Sequence, residues 1–380
     1  MNASGVFDKI CEMGGGKNAI RVVMFGDFGK DLDDENALVL AIALHSGDIV
    51  TLEAVIANLE PALERARLAK GTLSLLRSSH TPVGVGTSCF RGGTNPKHET
   101  DVPYLADVGG IVDGQLLLHE VLTKPGLEDQ TDPVHLVLNS GLTDAALFFL
   151  SHPDLFKTRI ASVTIMGGVV GGLDGVTLDE SGFMLPQIGK NGAANNCFDE
   201  ASALFLYRAC QEHGIPLTIV MREAAYACQM PFALYDQLKA TGNPIGANLL
   251  SRQAPSMNML WRAANGAEGS PERGKLPLSR DRAWFVKTFC DGKDPGVAAD
   301  QEIWPHVGKF QLYDPMNLVA AIPTLRDRFF DPIEVVVKGI THRVIGLTKE
   351  RHGVKNPDSL RQFMIDAEVA ALEAGIGKGI

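Results

Sequence analysis

The chain has no CxxC pair, no excess of positive charge, few aromatics and no long apolar run. Its six cysteines (Cys11, Cys89, Cys197, Cys210, Cys228, Cys290) are widely scattered. That spacing argues against a disulfide framework or a zinc cage and predicts reduced thiols in a cytoplasmic setting. Lys and Arg number 35 against 45 Asp and Glu, a net charge of −10. A nucleic-acid-wrapping surface needs the opposite sign to displace counterions, so no nucleic-acid partner is expected. The longest apolar runs, such as residues 37–44, fall well short of the roughly 20 that a membrane span requires. Residues 1–18 lack a basic stretch followed by an apolar one, so no secretory signal and no membrane association are expected. Three familiar enzyme motifs are also missing. Gly14-Gly15-Gly16-Lys17 has neither the preceding strand nor the spacing of a phosphate-binding loop, Gly84-Val85-Gly86 lacks the third glycine of a dinucleotide site, and no Gly-x-Ser-x-Gly elbow occurs.

What remains is an enzyme-sized chain of 380 residues, 45% hydrophobic and 21% charged, with 40 glycines. Residues 1–18 read as a flexible leader and residues 19–380 as one domain. Residues 20–25 (IRVVMF) form a short, nearly continuous apolar run, as in a strand buried on both faces of a parallel sheet. The acidic Asp33-Asp34-Glu35 then opens a helix over 36–45, since carboxylates suit a helix start. Strand and helix alternate from there: strands at 50–57, 81–85, 135–138, 160–166 and 215–220, helices at 62–76, 114–122, 143–150 and 201–212. This alternation predicts an α/β fold with a mostly parallel central sheet flanked by helices. Residues 167–196 and 252–301 do not fit it and read as long active-site loops; a terminal helix is expected over 359–374.

Ligands of such sheets sit outside the carboxyl ends of the strands, so the residues there carry the information. Asp27, Asp31, Asp33 and Asp34 put four carboxylates within eight residues directly after the first strand. Crowded like charges repel unless a cation or substrate hydroxyls absorb them. A hard divalent cation with oxygen ligands, Ca²⁺ or Mg²⁺, is the natural partner; a solvated acidic helix start is the plain alternative. Asp314, in Tyr313-Asp314-Pro315, adds a further carboxylate, with an Asp-Pro turn as its plain alternative. Asn58 and Asn139 also follow strands, and an asparagine in a turn is ordinary by itself. Their convergence on one sheet edge is harder to reach by accident. Arg222-Glu223 follows another strand and reads either as a phosphate contact or as a surface ion pair.

These segments resemble, in order, those of the inosine–uridine-preferring nucleoside hydrolases. VVMFGDFGKDLDDENALVLA looks like the family's strand-Asp-Pro-Gly-x-Asp-Asp-Ala signature, AVIANL (54–59) its strand ending in asparagine, and LNSGLTDA (138–145) its Thr-Gly-x-Leu-Thr-Asn segment. VTIMGG (163–168) is similar to its Val-Leu-Met-Gly-Gly strand, NNCFDEA (195–201) to its Asn-x-x-x-Asp-x-Glu-Ala segment and Tyr313-Asp314-Pro315 to its His-Asp-Pro. The resemblance spans residues 20 to 325. It implies a calcium-dependent N-glycosidase that splits ribonucleosides into ribose and base, as a homodimer or homotetramer. Asp27 would be both metal ligand and catalytic base. Asp34, Asp314 and the main-chain carbonyl of Asn139 would complete the ligand set, while Asp33, Asn58 and Asn195 or Asn196 would hold the sugar.

The chain departs from the family at named positions. Phe28 stands where the family has proline and two residues are inserted after it, making Asp31 a rival for the metal. Ala193 or Ala194 replaces an acidic residue, and Tyr313 replaces the histidine that helps protonate the leaving base. This form resembles the nucleoside-hydrolase-like effectors that plant-pathogenic bacteria deliver into host cells. If that branch applies, a host protein is an expected partner and the secretion system an expected route. The competing functional reading is a binder of a nucleoside, nucleotide or ADP-ribose that keeps the fold and the calcium loop.

Overall fold

The computed structural model describes residues 2–15, 18–30, 32–89, 99–124, 133–276 and 279–377. Asp31 lies outside them. Among the described residues nine strands form one sheet: β1 Ile20–Gly26, β2 Val50–Ala57, β3 Val83–Val85, β4 Ile111–Asp113, β5 Val134–Leu138, β6 Ile160–Met166, β7 Leu217–Val220, β8 Ile333–Val337 and β9 Ile340–Ile345. Their order is β8-β9-β7-β6-β5-β1-β2-β3-β4. Every neighbouring pair is parallel except the terminal hairpin of β8 and β9. The α/β expectation therefore holds, with one antiparallel edge.

This order puts the functional residues together. From β1 the chain winds outward through β2, β3 and β4, then returns to β5 on the other side of β1. The strand order reverses between β1 and β5, and at such a point the connections diverge and leave a crevice at the carboxyl ends. Asp27 and Asn139 flank it. They are tied by the Asn139 N–H, which donates to the Phe25 carbonyl at 3.0 Å.

Side-chain alternation splits the core. Val22 and Met24 of β1 point into one hydrophobic cluster, Val23 and Phe25 into the other. The first cluster is the larger and surrounds the helix Asp33–Ser46, whose residues 33–44 are all buried. A helix apolar on every side must be enclosed, and the C-terminal helix Pro357–Gly375 helps enclose it.

Two segments differ from the sequence reading. Residues 1–18, read as a flexible leader, contain the helix Ala3–Gly14, capped by Asn2 and burying Ala3, Val6 and Ile10. Apolar residues spaced by three and four give it an inward face, and it packs against the C-terminal helix. Residues 252–301, read as a long loop, include most of the helix Pro244–Asn265 and the helix Arg282–Phe289. Pro255 lies inside the former. Proline removes one helical hydrogen bond and normally argues for a break; burial of Leu249, Met257 and Trp261 holds the helix through it. Ahead of Asp314, Lys309–Phe310 pairs with Met230–Pro231 in a separate two-stranded ribbon.

Candidate functional site

The site starts at the end of β1. A side chain on Gly26 would place its Cβ 2.5 Å from Oδ1 of Asp34 and 2.9 Å from the Phe28 ring, so only glycine lets the next residues fold back over the helix. Phe28 is fully buried and pins the turn, and the Lys30 N–H closes it onto the Asp27 carbonyl at 3.0 Å. Phenylalanine thus anchors by burial the turn that the family's proline would stiffen. The Asp27 N–H donates to Oδ1 of Asp34 at 3.1 Å.

Beneath the turn lies Arg65, which is 2% exposed. Its guanidinium donates to the carbonyls of Asp27 and Phe28 (both 3.1 Å), Leu59 (3.2 Å) and Glu60 (3.0 Å) and pairs with Glu99 at 2.8 Å. A buried charge is tolerated only when paired and hydrogen-bonded, and this one fixes two strand-end loops at once. Nothing in the helix sequence around Arg65 signals that role.

Asp33, Asp34 and Asp314 are buried, and one oxygen from each lies within 4.8 Å of the others. Asp33 sits at the first helical position and accepts from the Tyr313 N–H at 3.2 Å, joining loops 280 residues apart. The Asp34 carboxyl is pushed well above its usual range, first by burial, then by the charges of Asp314 and Asp27. Each named influence acts in the same direction, which describes a site short of positive charge. The donors are all oxygens: these carboxylates, Asp27 beside them and the Asn139 carbonyl. Such a set fits a hard divalent cation and not a softer metal.

These groups line a cavity of about 240 Å³ with Lys30, Met166, Gln187, Asn195, Arg222, Arg280 and Tyr313. Of the residues singled out from sequence, Asp27, Asp33, Asp34, Asn139, Asn195, Tyr313, Asp314 and Arg222 are brought together here. Asn58 and Asn196 do not line the cavity. Asn58 is fully buried, its amide nitrogen donating to the Gly141 carbonyl (3.0 Å) and Asp144 (2.8 Å), its oxygen accepting from Ser140. Asn196 donates to the carbonyls of Gly168 (2.9 Å) and Gln187 (3.0 Å). Asn195 is the one of the pair that faces the cavity, and its amide bridges the carbonyls of Asn139 (2.8 Å) and Met166 (2.9 Å).

Arg222 has the ion-pair geometry of one of its two sequence readings and also faces the cavity. It lies 3.5 Å from Glu223 and still lines the cavity. No histidine is among the lining residues. Tyr313 takes the expected place of one, and burial followed by the neighbouring Tyr226 hydroxyl drives its pKa upward. Lys30, Gln187 and Arg280 were not singled out. Gln187 and Arg280 come from the two long stretches that break the strand–helix alternation, where periodicity carries no signal.

No protein-family model matches the chain. A pyrimidine-specific ribonucleoside hydrolase from Salmonella arizonae is 26% identical over 234 residues, 60% of this chain and 68% of that one. The structure of type III effector protein XopQ complexed with adenosine diphosphate ribose superposes with a TM-score of 0.78 at 26% identity, covering 97% of this chain and 99% of that one. The chain thus has a nucleoside-hydrolase-like fold and is similar over nearly its whole length to such an effector. A purine-preferring ribonucleoside hydrolase from Gardnerella vaginalis shares the fold at a TM-score of 0.54 and 15% identity, over 92% of this chain and 99% of that one. This nucleoside-hydrolase-like chain has no helix, among the described residues, long and apolar enough to cross a membrane.

Proposed function

We propose that the chain hydrolyses the N-glycosidic bond of ribonucleosides, with calcium held at the carboxyl ends of the central strands. One observation carries this: a single cavity gathers Asp27, Asp33, Asp34 and Asp314 beside Asn139 and Asn195. Asp27, Asp34, Asp314 and the Asn139 carbonyl would hold the ion. Calcium, when bound, lowers the pKa of adjoining water. Asp27 accepts a proton from the attacking water, whose oxygen bonds to C1′ of the ribose. The C1′–N bond breaks, its electron pair leaves with the base, and the base takes up a proton. Asp33 and Asn195 hold the ribose hydroxyls. Asn58 and Asn196 support the cavity wall from behind, fixing Ser140, Gly141 and Gly168.

A second reading rests on what this cavity has in place of the family's groups. Tyr313 stands for the histidine and Ala193 or Ala194 for an acidic residue, while Arg222 adds a cation. The effector XopQ, similar over nearly the whole chain, was crystallised with adenosine diphosphate ribose. A protein that binds such a ligand through this site and acts on a host partner would tolerate slow chemistry.

Ribose release from a panel of purine and pyrimidine ribosides, with calcium and after chelation, separates the two. Chelator-sensitive release is expected. Calcium binding without release from any riboside would move the assignment to the binding protein.

A further inference from the structure

The carboxylate cavity adjoins a second chamber of about 630 Å³, and Lys30, Asp33, Arg280 and Tyr313 line both. The walls of the second chamber are rich in rings, with Tyr226, Trp284, Phe289 and Phe310 among them. Two guanidiniums also line it, Arg262 and Arg280, and among the described residues neither has a carboxylate at ion-pair distance. Of the other charges at the chamber, Asp33 belongs to the carboxylate cluster with Asp34 and Asp314, Glu99 is paired with Arg65 at 2.8 Å, and Lys30 lies 4.9 Å from the centre of the Phe198 ring. Glu272 is exposed at the rim. Arg280 is half-buried at the seam of the chambers, its Cζ 5.6 Å from the centre of the Trp284 ring.

A guanidinium held over a ring and facing a cavity is a preformed fork for a planar anion, because its paired N–H groups match the two oxygens of a carboxylate. Its partial burial disfavours the charge until an anion meets it. The nearby rings offer stacking surface for an aromatic group. In the arrangement proposed next, ribose lies on the carboxylates of the first chamber with C1′ toward the second, which the four shared residues join to it.

We propose that Arg280 selects ribosyl compounds whose leaving group is an aromatic ring bearing a carboxylate. This deepens the hydrolase reading and rests on its placement of ribose. It differs from a general taste for nucleosides, since a neutral base would leave the guanidinium unmatched.

The experiment uses a matched pair, nicotinamide riboside and nicotinic acid riboside, which differ only by amide against carboxylate. Calorimetry would measure both with the calcium-loaded wild type and with Arg280→Gln, whose fold is checked by an unchanged Tm. The acid is expected to bind about tenfold tighter in the wild type, the scale of one charge-assisted pair, and that preference should fall to about one in Arg280→Gln with the amide's Kd unmoved. Equal binding of the two ribosides by the wild type, a preference that survives Arg280→Gln, or no binding of either would overturn the assignment. So would loss in Arg280→Gln of a preference for adenosine 5′-monophosphate over adenosine while the riboside pair stays equal, since the anion would then be a phosphate. Cleavage is scored separately: an Arg280-dependent preference without release of either base would sink hydrolysis and leave the selectivity standing.

Discussion

Nη1 of Arg65 donates to the main-chain carbonyls of both Asp27 and Phe28, at 3.1 Å each. A helix residue thereby sets the backbone of the turn that carries the proposed base. The same guanidinium neutralises Glu99 at 2.8 Å, so its removal would strand a carboxylate and four carbonyl acceptors away from water. Breaking a buried pair from one side costs about 3–5 kcal/mol. Arg65→Ala should lose stability on that scale in urea unfolding. Arg65→Lys should recover little of it, because an ammonium cannot span the same acceptors. A loss below about 1 kcal/mol for Arg65→Ala would show that the turn is held by other means.

The carboxylates make separable predictions. Asp34→Asn and Asp314→Asn each remove one anionic oxygen donor from the proposed ion site, and hard cations depend on such donors. Calcium should raise the Tm of the wild type, by linkage to binding, and should raise that of either variant much less. Asp27→Ala should lower ribose release by about 10²-fold or more, the scale of a lost general base, while the variant still folds. Unchanged release from Asp27→Ala would rule out the proposed chemistry.

Tyr313 allows a sharper test. It is half-buried in the cavity wall, its hydroxyl shares a hydrogen bond with Tyr226 and its pKa is driven up, so it holds its proton tightly. A group of that kind is a poor proton donor to a leaving base. Tyr313→Phe should therefore change kcat less than about tenfold, far below the 10²–10⁴ of a true general acid. A hundredfold fall would make the phenol the acid after all.

The sequence showed the site better than it showed its supports. Strand β1, the clustered Asp27, Asp33 and Asp34 and the Asp-Pro at 314 could be found because buried parallel strands read as apolar runs and ligands collect at their carboxyl ends. The choice between Asn195 and Asn196 could not be made there. Adjacent residues of one short helix, Ala194–Cys197, point in different directions, and only packing decides which faces the cavity. Arg65 and Glu99 were invisible for a related reason: a buried ion pair depends on what lies across the fold. The helix Ala3–Gly14 was missed because polar and glycine-rich neighbours mask its narrow apolar face.

Glu368 gives the last prediction, away from the proposed chemistry. It sits in the C-terminal helix, fully buried, and among the described residues neither carboxylate oxygen has a hydrogen-bond partner. Burial raises its pKa well above the ordinary 4.5, and the buried Tyr235 hydroxyl feels its charge. The sign follows directly. Below pH 4.5 the group is protonated in both folded and unfolded chains and has no effect on the balance. Above it, the unfolded chain ionises while the folded chain keeps the proton, so stability falls with rising pH until the folded group also titrates. The slope is about 1.4 kcal/mol per pH unit for one proton. Glu368→Leu, close in volume and without charge, should remove this contribution. Its gain in Tm over the wild type should be larger at pH 8 than at pH 5. An equal or smaller gain at pH 8 would mean that Glu368 is ionised in the folded protein, with a cationic partner supplied in solution.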